Sequence, residues 1–535
     1  MKRILGALPL LLLLAQAVSA APGAMSAEPN ISLAQTPAAS PSARPLNPYE
    51  QVLQDATTAF EAGELDAALA LYDKLILAQP EFGNGIAWYG RGLVHAARQE
   101  PTKAMNDFNQ ALRINPGNAY ARYDRGQLFL QGERYAEAIA DFSTVIKTSP
   151  DLARRAYVYN DRGIGYLETK QIDKARQDFE QAPRLDPGFP FAHHNLGLIF
   201  QSERKWREAL AAYDRAVAKS SDYASAFRHR AEVYSELGDY AKAAEDYTRV
   251  LMLKPEWDTV YLDRGGTYLK AGQLELAEAD YQRVRAKAPK DVSALTDLGL
   301  VQYYKGDYTK ALGFFDQALE IDPKFGPAHY NRALTHSRLM DYPAALLDYD
   351  HAIALMPEDV LSYNNRGLTQ VRLGKLERAI ADYDQALKLD PAYALAWSNR
   401  GDVWRQLKAF DKARADLDKA LSIDPDFAMA HGNLGLLQLE LGQAAAAIQA
   451  FDRAIALEPG RAASYLARSQ AWLLNGDVAK ARTDLEQALA LDPKLATAHE
   501  QLGRLLAAGG DCKGAAEHFK RACELGLKAA CELGC

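Results

Sequence analysis

A 34-residue period runs through nearly everything after Tyr49, and a chain with such a period can build only a stack of like units, each resting on its neighbours. Proline marks the period first. Twelve of the 24 prolines close one copy each, namely Pro80, Pro116, Pro150, Pro187, Pro255, Pro289, Pro323, Pro357, Pro391, Pro425, Pro459 and Pro493. Most spacings are 34 residues, two are slightly longer, and Ser221 stands where a further proline is due. Within each copy a small residue recurs at position 8, as in Gly92, Gly126, Gly163, Gly197, Gly265, Gly299, Gly367, Gly401, Gly435 and Gly503. Alanine holds position 20, as in Ala104, Ala138, Ala209, Ala243, Ala311, Ala379 and Ala413. An aromatic usually follows four residues later, as in Phe108, Phe142, Tyr213, Tyr247, Phe315 and Tyr383. Small residues at fixed places let two helices approach closely, and the aromatic fills the gap between them.

This pattern resembles the tetratricopeptide repeat family over about nine tenths of the chain, in 14 copies. They begin near Tyr49, Gly85, Ala119, Ala156, Pro190, Ala224, Asp258, Val292, Gly326, Val360, Ala394, Ala428, Ala462 and Ala496. The resemblance implies an all-α fold, a right-handed superhelical solenoid of about 14 tandem helix-turn-helix repeats. Helix A is expected over roughly positions 1–14 and helix B over roughly 15–31, with the closing proline ending helix B. Pro101, Pro343, Pro190 and Pro327 fall in first helical turns, where a missing amide hydrogen is harmless. Pro183, late in helix B of the fourth repeat, is expected to kink or shorten it.

Outside the array, residues 1–20 read as an export signal: Lys2 and Arg3, an apolar run from Ile4 to about Ala15, then small Val18, Ser19 and Ala20. Residues 21–48, rich in Ala, Pro and Ser, read as a flexible linker, 49–529 as the array and 530–535 as a truncated capping helix. The formal net charge of −7 becomes −9 once Lys2 and Arg3 are removed, and both signs alternate along the chain. Phosphate backbones are held by clustered Lys and Arg, so nucleic acid is set aside as a partner. After signal cleavage no transmembrane segment is expected, and the location implied is periplasmic or secreted.

Nine repeats carry Arg at position 7, and each of them carries Asp at position 23. The pairs are Arg91–Asp107, Arg125–Asp141, Arg162–Asp178, Arg230–Asp246, Arg264–Asp280, Arg332–Asp348, Arg366–Asp382, Arg400–Asp416 and Arg468–Asp484. Where position 7 is Leu, as at Leu196, Leu298, Leu434 and Leu502, position 23 is not acidic. Residue types that switch together across copies of one chain point to contact, here a structural ion pair between helix A and helix B.

The chemistry-bearing residues do not assemble into a catalytic signature. There is no glycine-rich phosphate loop after a strand, no nucleophile elbow, and no block outside the repeats large enough for a catalytic domain. His193, His329, His431 and His499 share position 4, a packing site elsewhere held by Trp88, Phe227, Tyr261 and Trp397, so they read as core filler. No metal, cofactor or enzymatic activity is expected.

All four cysteines lie in the last 24 residues. The stretch resembles the cysteine-bridged helical repeats of some secreted bacterial proteins, whose bridges join neighbouring helices eight residues apart. That resemblance implies a Cys523–Cys531 bridge and, with it, a Cys512–Cys535 bridge, stapling a terminal cap. The plain alternative is four small apolar side chains.

In the tetratricopeptide family, helices A line a concave groove, which makes positions 2, 5, 6, 9 and 12 ligand-facing by resemblance. Early repeats place aromatics there, at Tyr89, Tyr120, Tyr123, Tyr157 and Phe191. Later ones place asparagine at position 6, at Asn331, Asn365, Asn399 and Asn433, with Asn195 an earlier example. A row of amides that donate and accept suits the main chain of an extended peptide. The function implied is a non-catalytic scaffold in the bacterial cell envelope that binds segments or helices of other proteins in the groove. The rival is a glycan-binding component of a polysaccharide export or envelope machine, with the aromatics as its platform.

Overall fold

The computed structural model describes residues 46–153 and 155–534. The expected signal segment and most of the linker, together with Cys535, lie outside the described residues. Every long helix belongs to one of fourteen hairpins, from Pro48–Glu61 paired with Leu65–Ala78 to Ala496–Ala508 paired with Cys512–Glu524. There is no strand among the described residues. The chain divides into two compact units after Val284, in the last turn of the second helix of repeat 7, so that repeats 1–6 and most of 7 fall in the first and 8–14 in the second.

One local rule builds every hairpin. Helix A ends at a position 15 held in the left-handed conformation, which is glycine in eight repeats, Gly238 among them. The other six use Gln99, Glu133, Lys170, Arg204, Met340 and Lys408 at φ near 57–63°. This turn directs the next amide back onto the helix: in all fourteen repeats the position 16 N–H donates to the position 11 carbonyl at 2.8–3.0 Å, as Glu100 does to His95 and Asp341 to His336. Carbonyls that helix A would leave unpaired are thereby satisfied, and helix B starts at a fixed angle.

Within a hairpin, the position 20 alanine is fully buried in every repeat, from Ala68 to Ala515. Where position 8 is glycine and position 24 aromatic, the ring lies on the glycine. A Cβ added to Gly197 would stand 2.4 Å from the Tyr213 ring, and one added to Gly92 would stand 2.5 Å from Phe108. Glycine at position 8 thus lets the ring sit closest, while Ala56, Ala231 and Ala333 hold that position in the repeats of buried Tyr72, Tyr247 and Tyr349. The two longer spacings are absorbed outside the hairpins, by a 3-10 turn at Phe82–Gly85 and a short helix at Pro150–Ala153.

Of the two outcomes expected of Pro183, kinking or shortening its helix, shortening does not occur. Ile172–Leu185 runs for 14 residues with the proline inside. Because Pro183 sits in the last turn, only one intrahelical bond is lost, and the amide of Asp186 still closes on the Ala182 carbonyl at 3.0 Å.

All nine position 7 arginines meet the position 23 aspartates, with Nε and Nη2 donating to the two carboxylate oxygens at 2.5–3.2 Å. The third nitrogen does something the sequence reading missed. Nη1 reaches back to position 25 of the preceding repeat, at Asp73, Asn109, Ser143, Asp214, Thr248, Asp316, Asp350, Asp384 and Asp452, over 2.5–3.3 Å. Each arginine therefore ties its own two helices together and both to the repeat before. The aspartates are buried, and for Asp178, Asp246 and Asp382 the loss of water outweighs the arginine, leaving the carboxyl above its usual range.

At the carboxyl end, Gly526 turns the chain after Cys512–Glu524 into a 3-10 segment, Lys528–Glu532, where a truncated helix over 530–535 was expected. A disulfide joins Cys523 to Cys531, with their Cα atoms 4.9 Å apart. The expected Cys512–Cys535 pairing involves a residue outside those described.

Candidate first-helix binding face

The aromatic half of the candidate face lies in the first unit. Tyr120, at position 2 of helix A in repeat 3 (Ala119–Gln131), is 41% exposed. Tyr89 and Tyr157 lie on the first helices of the repeats before and after it. Tyr123 packs at a tilt on Tyr157, ring centroids 5.0 Å apart, and Phe191 sits between Phe189 and Tyr223 at 5.3 and 5.1 Å. Of the five aromatics singled out in the sequence, Tyr120 presents the most surface, while Tyr89, Tyr123, Tyr157 and Phe191 are half-buried.

Two aspartates stand among these rings. The Tyr89 hydroxyl donates to Asp124 at 2.8 Å, and the Tyr123 hydroxyl donates to Asp161 at 2.6 Å. Gln127 also donates to Asp161, and so does Asn160 at 3.2 Å. Burial raises the Asp124 carboxyl to about 7 and that of Asp161 to about 6, the tyrosine hydrogen bonds opposing it in both cases. The same burial pushes the Tyr157 hydroxyl up to about 12. Both aspartates occupy position 6, as do Asp263, raised to about 6, and Asp297, raised to about 7, again by burial.

Those contacts follow a rule that a single repeat cannot reveal. Position 5 of one helix A bonds position 6 of the next. In the first unit the ties are Tyr89–Asp124, Tyr123–Asp161, Asn160–Asn195 at 2.9 Å, His194–His229 at 3.1 Å and Arg228–Asp263 at 2.9 Å. In the second they are Tyr330–Asn365 at 2.9 Å, Asn364–Asn399 at 3.0 Å and Ser398–Asn433 at 3.0 Å.

The asparagine row is accordingly revised. Asn195 is 1% exposed and offers no surface to a ligand. Asn365, Asn399 and Asn433 are half-buried and each spends its amide N–H on the preceding repeat. Asn331 is half-buried as well, and its main-chain carbonyl accepts from Thr335. Their periodicity records how neighbouring first helices are fastened, so a ladder of free amides is not what the face presents.

Position 4 is likewise more than filler. His329, His431 and His499 set Nε2 at 3.0, 2.9 and 3.2 Å from the carbonyls of Pro323, Pro425 and Pro493, which close the preceding repeats. Trp88 and Trp397 donate Nε1–H to Pro80 and Pro391 at 2.8 and 3.0 Å, and Arg122 donates to Pro116 at 2.7 Å. In these six repeats position 4 thus aims a side-chain nitrogen at the carbonyl left over at the end of the previous helix B. His193 departs from this, being buried with Nδ1 unpaired; burial, and then Arg215 and Lys219, depress its pKa.

Comparison with known proteins fits this geometry. A curated relative, the chloroplastic tetratricopeptide repeat domain-containing protein PYG7 of Arabidopsis thaliana, is 34% identical over 62 residues, 12% of this chain. The match spans 21% of that protein's length. Among solved structures, the Cut9–Hcn1 hetero-tetramer of the APC/C is similar over 86% of this chain and 97% of its own, at 18% identity and a TM-score of 0.44. A tetratricopeptide repeat protein from Parabacteroides merdae covers 46% of this chain and 98% of its own (21% identity, TM-score 0.40), and yeast Tom70 covers 89% and 92% (15%, 0.36). The tetratricopeptide repeat profile matches residues 53–119, 101–153, 123–190, 194–256, 262–324, 364–428, 433–496 and 475–529. With most of its length matched and every described hairpin built on one plan, the chain belongs to the tetratricopeptide repeat family.

Proposed function

We propose that this protein is a non-catalytic scaffold of the bacterial cell envelope that holds extended segments of other proteins against the first-helix face of its repeats. The family supports a protein-interaction role. The observation that carries the reading is the exposed Tyr120 ring, with half-buried Tyr89 and Tyr157 on the first helices of the repeats before and after it. It offers stacking area to the side chains of a peptide segment. The raised carboxyls are engaged by neighbouring hydroxyl and amide groups, a use that favours binding and structure over turnover. Export rests on the basic and then apolar character of residues 1–20, and residues 21–48 would serve as a tether. No helix among the described residues is long and apolar enough to cross a membrane.

The test is a crosslinking pull-down from native envelope extract, comparing the wild type with a Tyr120→Ala, Tyr157→Ala variant. A few defined proteins recovered by the wild type and lost by the variant support the reading. The same set recovered with both moves binding off this face. A second reading, glycan binding, draws on the same exposed ring; titration with envelope glycans that perturbs Tyr120 and Tyr157 in the absence of any protein partner favours it.

A further inference from the structure

Repeat 9, Gly326–Arg338 and Tyr342–Leu355, brings together three side chains that the sequence leaves apart. His329 comes from helix A, while Asp348 and His351 come from helix B, one turn apart. Their ligand atoms all lie within 4.8 Å of one another. His329 and Asp348 are buried, and His351 is exposed with its ring centroid 4.8 Å from that of His329.

The hydrogen-bond pattern is what makes the cluster informative. Nε2 of His329 faces the Pro323 carbonyl at 3.0 Å, and Nδ1 faces the Asp348 carboxylate at 3.1 Å. A neutral imidazole carries one N–H, so one of these contacts would set a lone pair against an oxygen unless a positive species lies there. With Nε2–H donated to Pro323, as the same nitrogen of His431 and His499 is placed to do, the bare Nδ1 is the one that looks at the carboxylate. A histidine whose far N–H is fixed by a main-chain carbonyl is the usual preparation of a metal ligand. Donors at about 2.0–2.1 Å from a tetrahedral zinc stand about 3.3 Å apart; His329 Nδ1 and Asp348 are 3.1 Å apart, and the three-donor set lies within 4.8 Å.

We propose that His329 Nδ1, Asp348 and His351 form a site for a borderline divalent transition-metal ion such as zinc, clipping helix A of repeat 9 to helix B. His351 needs only a side-chain rotation to complete a three-ligand set, and the exposed side leaves a fourth position for water. Arg332 holds the same carboxylate at 2.8 and 2.7 Å and weakens the site without blocking its third ligand. His336 lies 3.9 Å from that carboxylate.

The internal comparison sharpens the assignment. In repeat 14 positions 4 and 23 hold His499 and His518, with Nδ1 atoms 2.8 Å apart, but position 26 is Arg521. In repeat 12 His431 makes the same proline contact, while positions 23 and 26 are Ala450 and Arg453. Only repeat 9 has all three donors.

The experiment is equilibrium dialysis of the full chain, lacking residues 1–20, against zinc chloride, with cobalt(II) absorption as a second readout. One zinc per chain is expected, together with a visible cobalt spectrum of tetrahedral intensity. His351→Ala, a surface change with no folding cost, and His329→Gln, which keeps a donor for Pro323, are each expected to weaken binding at least about tenfold. His431→Ala and His518→Ala are expected to leave it unchanged. No zinc bound by the wild type, meaning that a proton alone bridges the pair, overturns the proposal, as does binding that survives His351→Ala or falls equally with His518→Ala.

Discussion

At the scale of the residue, the arginine at position 7 does the most. Arg366 contacts both oxygens of Asp382 and reaches Asp350 of the repeat before, while Gln370 adds a further donor to Asp382. Removing it strands a buried carboxylate, so Arg366→Leu is expected to cost about 3 kcal/mol in urea unfolding. With Asp382→Ala already present the same change should cost at least about 1 kcal/mol less; equal costs in the two backgrounds would mean that the pair is not coupled. Asp124 is expected to act in the opposite sense. Its folded pKa, about 7, lies above that of an unfolded aspartate, about 3.9, so the folded state binds the extra proton. The stability this group contributes is full below about pH 4 and is lost as pH rises through about 7. Asp124→Asn removes that loss and still accepts from Tyr89. The variant should gain on the wild type across this range, reaching about 1–2 kcal/mol at pH 8 after allowance for partial exposure, as read from urea midpoints at pH 5 and pH 8.

At the scale of the element, the hairpin turn requires a backbone that six of the fourteen repeats impose on residues other than glycine. Met340, at φ 63° and largely exposed, is the clearest case. Met340→Gly is expected to stabilise the second unit by about 1 kcal/mol, where the same change in the middle of a helix would cost about as much. Thermal unfolding with and without the change decides it. The hairpins themselves were legible because proline, glycine, alanine and an aromatic recur in fixed phase, and the position 7 and 23 pairs because they vary together. Position 25 was open to the same argument: whenever the next repeat has arginine at position 7, it holds Asp, Asn, Ser or Thr. What one repeat cannot show is a partner in the next, so asparagines that fasten first helices were read as surface, and donors aimed at a proline carbonyl as filler. The aspartates beside Tyr89 and Tyr123 were missed for the same reason, since their environment is assembled from two repeats.

At the scale of the whole molecule, stability is a sum over neighbours, so damage should stay near its origin. Gly197→Ala drives a methyl group into the Tyr213 ring and should cost about 1–3 kcal/mol. Hydrogen exchange is expected to show protection lost across residues 156–253, repeats 4–6, with repeats 1 and 2 little changed. Uniform loss across the first unit would mean that it unfolds as one body. The ties between positions 5 and 6 also govern how such an array can lengthen over generations. Doubling residues 360–393 in frame would set Asn364 against a second Asn365, and two amides can pair. Doubling residues 224–257 would set Arg228 against a second His229 in place of Asp263, leaving the guanidinium only Glu232, 3.7 Å away on its own helix. Copies are thus interchangeable only where the outgoing side chain of one suits the incoming side chain of the next, and the history of the gene is constrained at its seams more than within its units.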